Sequence, residues 1–272
     1  MKQITLGIIH YFLKVNTMKF NNTFRLIGNN ISIGKNVKIG DDTIIYDNTS
    51  IGDNTIIANN CIIGEPSVDY YYSDNYANNL TSIGQNCLIR SHAIIYNGNI
   101  LGDGITTGHR IMLRENNIVG EKCRIGNYTE LHGNVKIGKY SNLHSSVCVV
   151  ENAIIGDFVW IAPGTILTND LTPPSNNKKS PIIGDFTFIA VNCVILPGIK
   201  IGIHCLIGAS TTVTRDVADY SVCVGSPGKI ISEIKDFEIK GIKHYPWPVN
   251  FRKGMPWETI GFENWSKQMD ND

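Results

Sequence analysis

An aliphatic residue returns at every sixth position along most of this chain. Ile33, Ile39, Ile45, Ile51, Ile57 and Ile63 open the series. Six matches neither the helical nor the strand period. The frame runs from Ile33 to Val68, resumes at Ile83, continues unbroken to Thr172, resumes at Ile183 and closes at Ala218, giving 27 hexads. The lead residue is Ile, Leu or Val in every hexad except the one led by Thr107. The fifth position is mostly small or β-branched, as at Val37, Thr43, Ala93 and Thr129. Five of the seven cysteines stand there: Cys61, Cys87, Cys123, Cys193 and Cys205. Their simplest role is small apolar filler in a packed core.

A hexad is too short for a helical hairpin but suits one short strand and a turn. Three such strands close a triangular coil, and stacked coils make a solenoid. The pattern, with glycine often following the lead, resembles the hexapeptide-repeat acyltransferases over roughly residues 31 to 231. The resemblance implies an all-β, left-handed parallel β-helix of about nine coils, about 43 Å tall at ordinary strand spacing. Two loop excursions and a short C-terminal helix and tail complete it. The expected organisation is an N-terminal strand or docking segment at 1–30 and the β-helix at 31–218, with loops at 65–82 and 170–182. A cap and tail follow at 219–272.

Every third hexad shares a wall, and the three walls differ. The first has glycine after every lead, from Gly34 and Gly52 to Gly184 and Gly202. Its flanking positions, Asp53, Asp103 and Asp157 among them, read as a solvated scaffold corner. The second is mostly small past Arg90, with Gly108, Gly126, Ala162, Ala190 and Gly208, and leaves room for a long thin ligand. The third is bulky and polar, with Tyr96, Arg114 and His132. Both frame breaks leave from this third wall. Two long loops from one edge of a rigid solenoid point to function.

Composition narrows the classes. Hydrophobic residues make up 42% of 272, and the formal net charge is zero with no basic run, so nucleic acid is not an expected partner. The apolar stretch at the N-terminus is broken by His10 and Lys14 and is too short to span a bilayer. No membrane partner and a cytoplasmic location are expected. The cysteines form no CxxC pair.

In sugar-nucleotide members of the resembled family, a histidine at the third position of a mid-helix hexad acts as base. The matching residue is His109 in "TGHRIM". It either takes the acceptor's proton or positions the substrate. The backbone N–H of Asn127, one coil on, matches the family's oxyanion contact, and Glu115 would orient the histidine or hold a sugar amine. Arg90, Arg110 and Arg114 read either as solvated corner arginines or as a diphosphate clamp. Tyr71 and its loop neighbours either stack on a nucleotide base or staple the loop to another subunit. Asn97 and His132 are further substrate contacts, unless structural. "GASTTVTRDVADYSVCVGSPGKII", residues 208–231, closely resembles the family's closing segment. It places Lys229 against coenzyme A phosphates, with His144, Ala162, Ala190 and Gly208 along the groove.

The resemblance thus implies acetyl-CoA as co-substrate and a homotrimer with sites between subunits. The reaction it implies is N-acetylation of a nucleotide-linked amino sugar, closest to a dTDP-3-amino-3,6-dideoxyhexose, for surface-polysaccharide assembly. A hydroxyl acceptor is the alternative. A zinc hydratase on the same prism would need three converging histidines. The chain has no H-x4-H pair, so no metal is expected.

Overall fold

The computed structural model describes residues 20–246 and 251–269. The expected segment at 1–30 therefore lies mostly outside the described residues. The chain winds as a left-handed parallel β-helix. Its walls are sheets of nine strands (Ser32–Ile33 to Lys200–Ile201), eleven strands (Lys38–Ile39 to Lys229–Glu233) and ten strands (Arg25–Ile27 to Thr212–Val213). These are the first, second and third walls of the repeat. Leads pair with leads one coil on: Ile33 with Ile51, Ile39 with Ile57, Ile45 with Ile63. The register survives both excursions, since Ile51 pairs with Ile83 and Ile155 with Ile183.

The stack is taller than nine coils, with about 11 turns. The additions lie off the six-residue frame. Leu26, not Ile27, pairs with the lead Ile45. At the other end Cys223 pairs with the lead Ile207. The spacings differ from a full coil, so the periodicity does not register them. The closing strand Lys229–Glu233 turns back antiparallel on Ser221–Val224. Glu238–Ile239 and Ile242–Lys243 then form a small hairpin. The one α-helix among the described residues, Phe262–Met269, comes last, so the tail precedes the helix rather than following it.

Within the stacked coils the leads and fifth positions face the axis, whereas Ile33 at the start of the frame and Leu171 at the second loop are exposed. Ile45, Ile63, Leu131 and Cys193 have no exposure. Burial pushes the Cys61 thiol up to about 11 and Cys123 up to about 12, which leaves both as inert filler.

The corner glycines act through close approach. The glycines after the leads of the first wall do not take up the left-handed conformation. They allow close approach: a Cβ on Gly138 would sit 2.2 Å from Asp157 Oδ1 and 2.5 Å from the Gly156 carbonyl carbon. The corner aspartates use that space. Asp157 Oδ1 accepts from the Lys139 N–H at 2.8 Å, and Asp103 Oδ1 accepts from the Gln85 N–H at 2.9 Å. The left-handed residue is the fourth of the hexad, often asparagine: Asn54 (φ 58°), Asn86 (56°), Asn134 (51°). Asparagine tolerates this region better than most residues.

In the later coils of the corner that holds Asn54 and Asn86, aromatic rings take that place instead. Tyr140, Phe158, Phe186, His204 and Tyr220 all have positive φ. Successive rings stack with centroids 5.2, 4.8, 4.7 and 5.1 Å apart. Each stacked pair contributes about 0.5–1.5 kcal/mol beyond burial, which offsets the backbone cost of the left-handed turn. The C-terminal tail seats on this ladder. Trp257 is fully buried against Phe158, centroids 5.2 Å apart, and its indole N–H donates to the Phe251 carbonyl. The tail thus covers a flank of the prism.

Two substitutions separate these corner roles. Asn134→Ala should cost about 1 kcal/mol in denaturant unfolding because alanine resists a left-handed φ, while Asn134→Gly should stay near the parent. Gly138→Ala should cost about 1–3 kcal/mol through steric overlap. Equal stability of Asn134→Ala and Asn134→Gly would remove the conformational explanation.

Candidate active site

Third positions at the corner between the second and third walls form a column: Ser91, His109, Asn127, Ser145 and Pro163. His109 is exposed. Its Nδ1 lies 2.8 Å from Ser91 Oγ, one coil below. Its backbone N–H donates to Asn127 Oδ1 at 2.7 Å, one coil above. The ring is thus held from the prism side, and Nε2 has no partner among the described residues. If Nδ1–H donates to Ser91 Oγ, Nε2 presents its lone pair outward, as a base requires. The same corner leaves the Asn127 N–H without an acceptor among the described residues, while its Nδ2 donates to Ser145 Oγ at 3.4 Å.

Thr107, the break in the aliphatic leads, lies two residues before His109. Along the second wall the N–H after each lead normally donates to the next lead's carbonyl, as Gly108 does to Ile125 and Gly126 to Leu143. At Arg90 the N–H donates instead to Thr107 Oγ1, at 2.9 Å. The ladder is interrupted just below the histidine, and only Thr106 pairs there with Leu88.

Other expected residues are distributed around the prism. Glu115 is at the next corner, and its carboxylate meets Arg114 at 3.2 Å. The partner of His109 is therefore Ser91, and Glu115 is engaged elsewhere. Arg90 is exposed on the second wall, Arg114 on the third, and Arg110 occupies a left-handed corner with φ 56°. Asn97 is 3% exposed, and its Nδ2 donates to the Glu65 carbonyl at 3.3 Å. It also accepts from the Asn79 N–H, which ties down the returning first loop. Within that loop Tyr70 packs on Tyr46, Tyr71 and Tyr76, and the Tyr76 hydroxyl donates to Asn78. The tyrosines thus fasten the loop to its own chain. Tyr71 remains 64% exposed, with its hydroxyl 3.4 Å from Glu65. His132 stands on the third wall between Glu130 and Cys148.

Along the second wall, His144 packs against Trp160, centroids 5.0 Å apart. Burial, and then the Arg124 charge, lower its pKa, which favours the neutral ring. Ala162 is buried and Ala190 half-buried. Gly208 lies under Val224, whose Cγ1 would be 2.8 Å from an added Cβ. Lys229 is exposed on the closing strand. A cleft of about 160 Å³ between this wall and the tail was not foreseen. Lys122, Arg124 and Lys253 bring three cations to it, beside Asn142, Tyr140 and Phe251. Among the described residues no helix is long and apolar enough to cross a membrane.

Comparison with known proteins agrees with the repeat. Residues 30–65 match the family described as bacterial transferase hexapeptide (six repeats). Residues 80–108 and 182–215 match the hexapeptide repeat of succinyl-transferase. The bifunctional protein GlmU of Streptococcus uberis is 27% identical over 146 residues, 54% of this chain and 30% of that protein. GlmU of Thermotoga petrophila is 29% identical over 135 residues, 49% of this chain and 29% of that protein. The chain thus spans less than a third of these relatives' length. Among solved structures, a hexapeptide-repeat acetyltransferase of Vibrio cholerae in complex with acetyl coenzyme A shares 25% identity. It covers 43% of this chain and 71% of its own, with a TM-score of 0.40. Perosamine N-acetyltransferase of Caulobacter crescentus, bound to CoA and GDP-perosamine, shares 16% identity over 66% of this chain and 70% of its own, with a TM-score of 0.39. These structural likenesses concern the fold.

Ser91→Ala should leave the coils intact and free the His109 ring. Nitrogen chemical shifts should then move from one dominant tautomer toward a mixture. An unchanged tautomer ratio would show that Ser91 does not set it.

Proposed function

We propose that this chain is an acyl-coenzyme-A-dependent acyltransferase, and more specifically an N-acetyltransferase using acetyl-CoA on a nucleotide-linked amino sugar. The observation that carries this reading is the corner at His109: an exposed imidazole held through Nδ1 by Ser91, beside small residues on a hexapeptide-repeat wall. In this reading a neutral acceptor amine attacks the thioester carbonyl. His109 Nε2 takes the amine's proton, the Asn127 N–H steadies the oxyanion, and the thiolate of coenzyme A departs. A hydroxyl oriented to Nδ1 holds the tautomer without the strong basicity that a carboxylate partner lends. That suits an amine acceptor, which needs less base assistance than a hydroxyl.

Gly108, Gly126, Ala162 and Ala190 give the acyl donor its path along the second wall. The cleft at Lys122, Arg124 and Lys253 supplies the cations for ligand phosphates. It is better suited to this than Arg114, which is spent on Glu115. Lys229 and Gly208 remain proposed contacts at the coenzyme end, and Tyr71 at the acceptor end. The subunit arrangement proposed is a homotrimer, each site completed by a neighbour.

Thiol release from acetyl-CoA, followed with dTDP- and UDP-linked 3-amino and 4-amino sugars, tests the reading. Rapid release with one amino sugar is expected, and release only with hydroxyl acceptors would sink the N-acetyl assignment. His109→Asn should lower turnover by about 10²–10⁴-fold. Near-normal turnover would remove His109 as base. Arg124→Ala should raise KM for a phosphate-bearing ligand with little change in kcat; an unchanged KM would move phosphate binding elsewhere.

A further inference from the structure

The third wall carries a second cluster of reactive side chains that the proposed acyl transfer does not use. Glu130, on the strand Glu130–Leu131, and His132, just after it, flank the buried lead Leu131 and project from the same outer face. Cys148 is the direct neighbour of Glu130 in the next coil. It is also unlike its siblings: six of the seven cysteines are buried, and Cys148 alone is partly exposed. His132 Nε2 lies 3.4 Å from Glu130 Oε2 and 3.6 Å from Cys148 Sγ. All three candidate ligand atoms lie within 4.8 Å of one another.

Two groups therefore converge on one ring nitrogen that can satisfy only one of them. If Nε2 carries hydrogen, it donates to Glu130 and the thiol loses its acceptor. If Nε2 presents its lone pair, it accepts from the thiol and turns that lone pair toward a carboxylate. A cation at the centre resolves the conflict. Tetrahedral zinc, with bonds of about 2.0–2.2 Å to nitrogen and oxygen and about 2.3 Å to sulfur, sets N–O and N–S edges of about 3.4 and 3.6 Å. Both observed separations already equal those edges. The third edge, between Glu130 and Cys148, lies within 4.8 Å, and the Glu130 side chain, 46% exposed, has room to adjust it. Met112 lies beside Glu130 and Ile166 beside Cys148, so the site has apolar flanks along the wall. The nearest cation along the column, Arg114, is paired with Glu115.

We propose that Glu130, His132 and Cys148 form a zinc site with the fourth position open to water. On binding, the Cys148 thiol releases its proton to solvent, Nε2 binds as a lone pair with the ring hydrogen on Nδ1, and Glu130 binds as carboxylate. The site is independent of the acyltransferase reading, since none of its ligands belongs to the His109 corner.

The test uses the full chain stripped with chelator, a disulfide-exchange thiol reagent, and zinc alone. One thiol per native chain should react readily, and Cys148→Ser should remove it. Zinc should slow that reaction at least about tenfold. His132→Gln keeps Cys148 but should weaken the protection by at least about 10–100-fold, the range known even for outer partners of metal ligands. Cobalt(II) gives a readout independent of reagent access: a thiolate-to-cobalt absorption band present in the parent and absent from Cys148→Ser. Equal thiol reactivity with and without zinc overturns the site. So does protection that survives His132→Gln, or a cobalt spectrum that Cys148→Ser does not change.

Discussion

The hydrogen bond from one coil's main-chain N–H to the next coil's carbonyl governs the rest of the structure. Gly102 donates to Val119, Gly120 to Ile137 and Gly138 to Ile155, at 2.9, 2.8 and 2.8 Å. This ladder fixes the coil separation at ordinary strand spacing and leaves no freedom along the axis. The lead residue must then face inward at every sixth position. The residue after it must be small wherever a corner aspartate approaches. The fourth must turn left-handed so that each corner closes.

The same lattice positions the chemistry. Residues one coil apart become neighbours without any local sequence relation, so Ser91 meets His109 and His109 meets Asn127. A side chain held on such a wall is preorganised by main-chain bonds rather than by loops. The one interruption in the second wall's ladder near the site is made by the Thr107 hydroxyl, just beneath the histidine. Departures from a repeat's rule are expected where function takes precedence over regularity.

Much of this was legible in the chain. The three walls, the inward leads, the cysteine filler and the return of both loops to the proper wall follow from six-residue counting. The terminal coils did not, because Leu26 and Cys223 pair off the frame. The left-handed fourth position was available in the run of asparagines. The aromatic ladder from Tyr140 to Tyr220 becomes visible only when positions one coil apart are read together, and so does its hold on Trp257. Arg114 and Glu115 show the limit of such counting. It gives their corner, but it does not reveal that they neutralise each other. Cys148 stands outside the fifth-position pattern, and nothing in the spacing marks its approach to His132.

The most direct measurement is a crystal structure with coenzyme A bound. The thiol sulfur should lie beside His109 Nε2, with the pantetheine arm running along Gly126 and Ala162 on the second wall. A sulfur lodged against the third wall, away from His109, would contradict the assignment of this corner as the reacting centre.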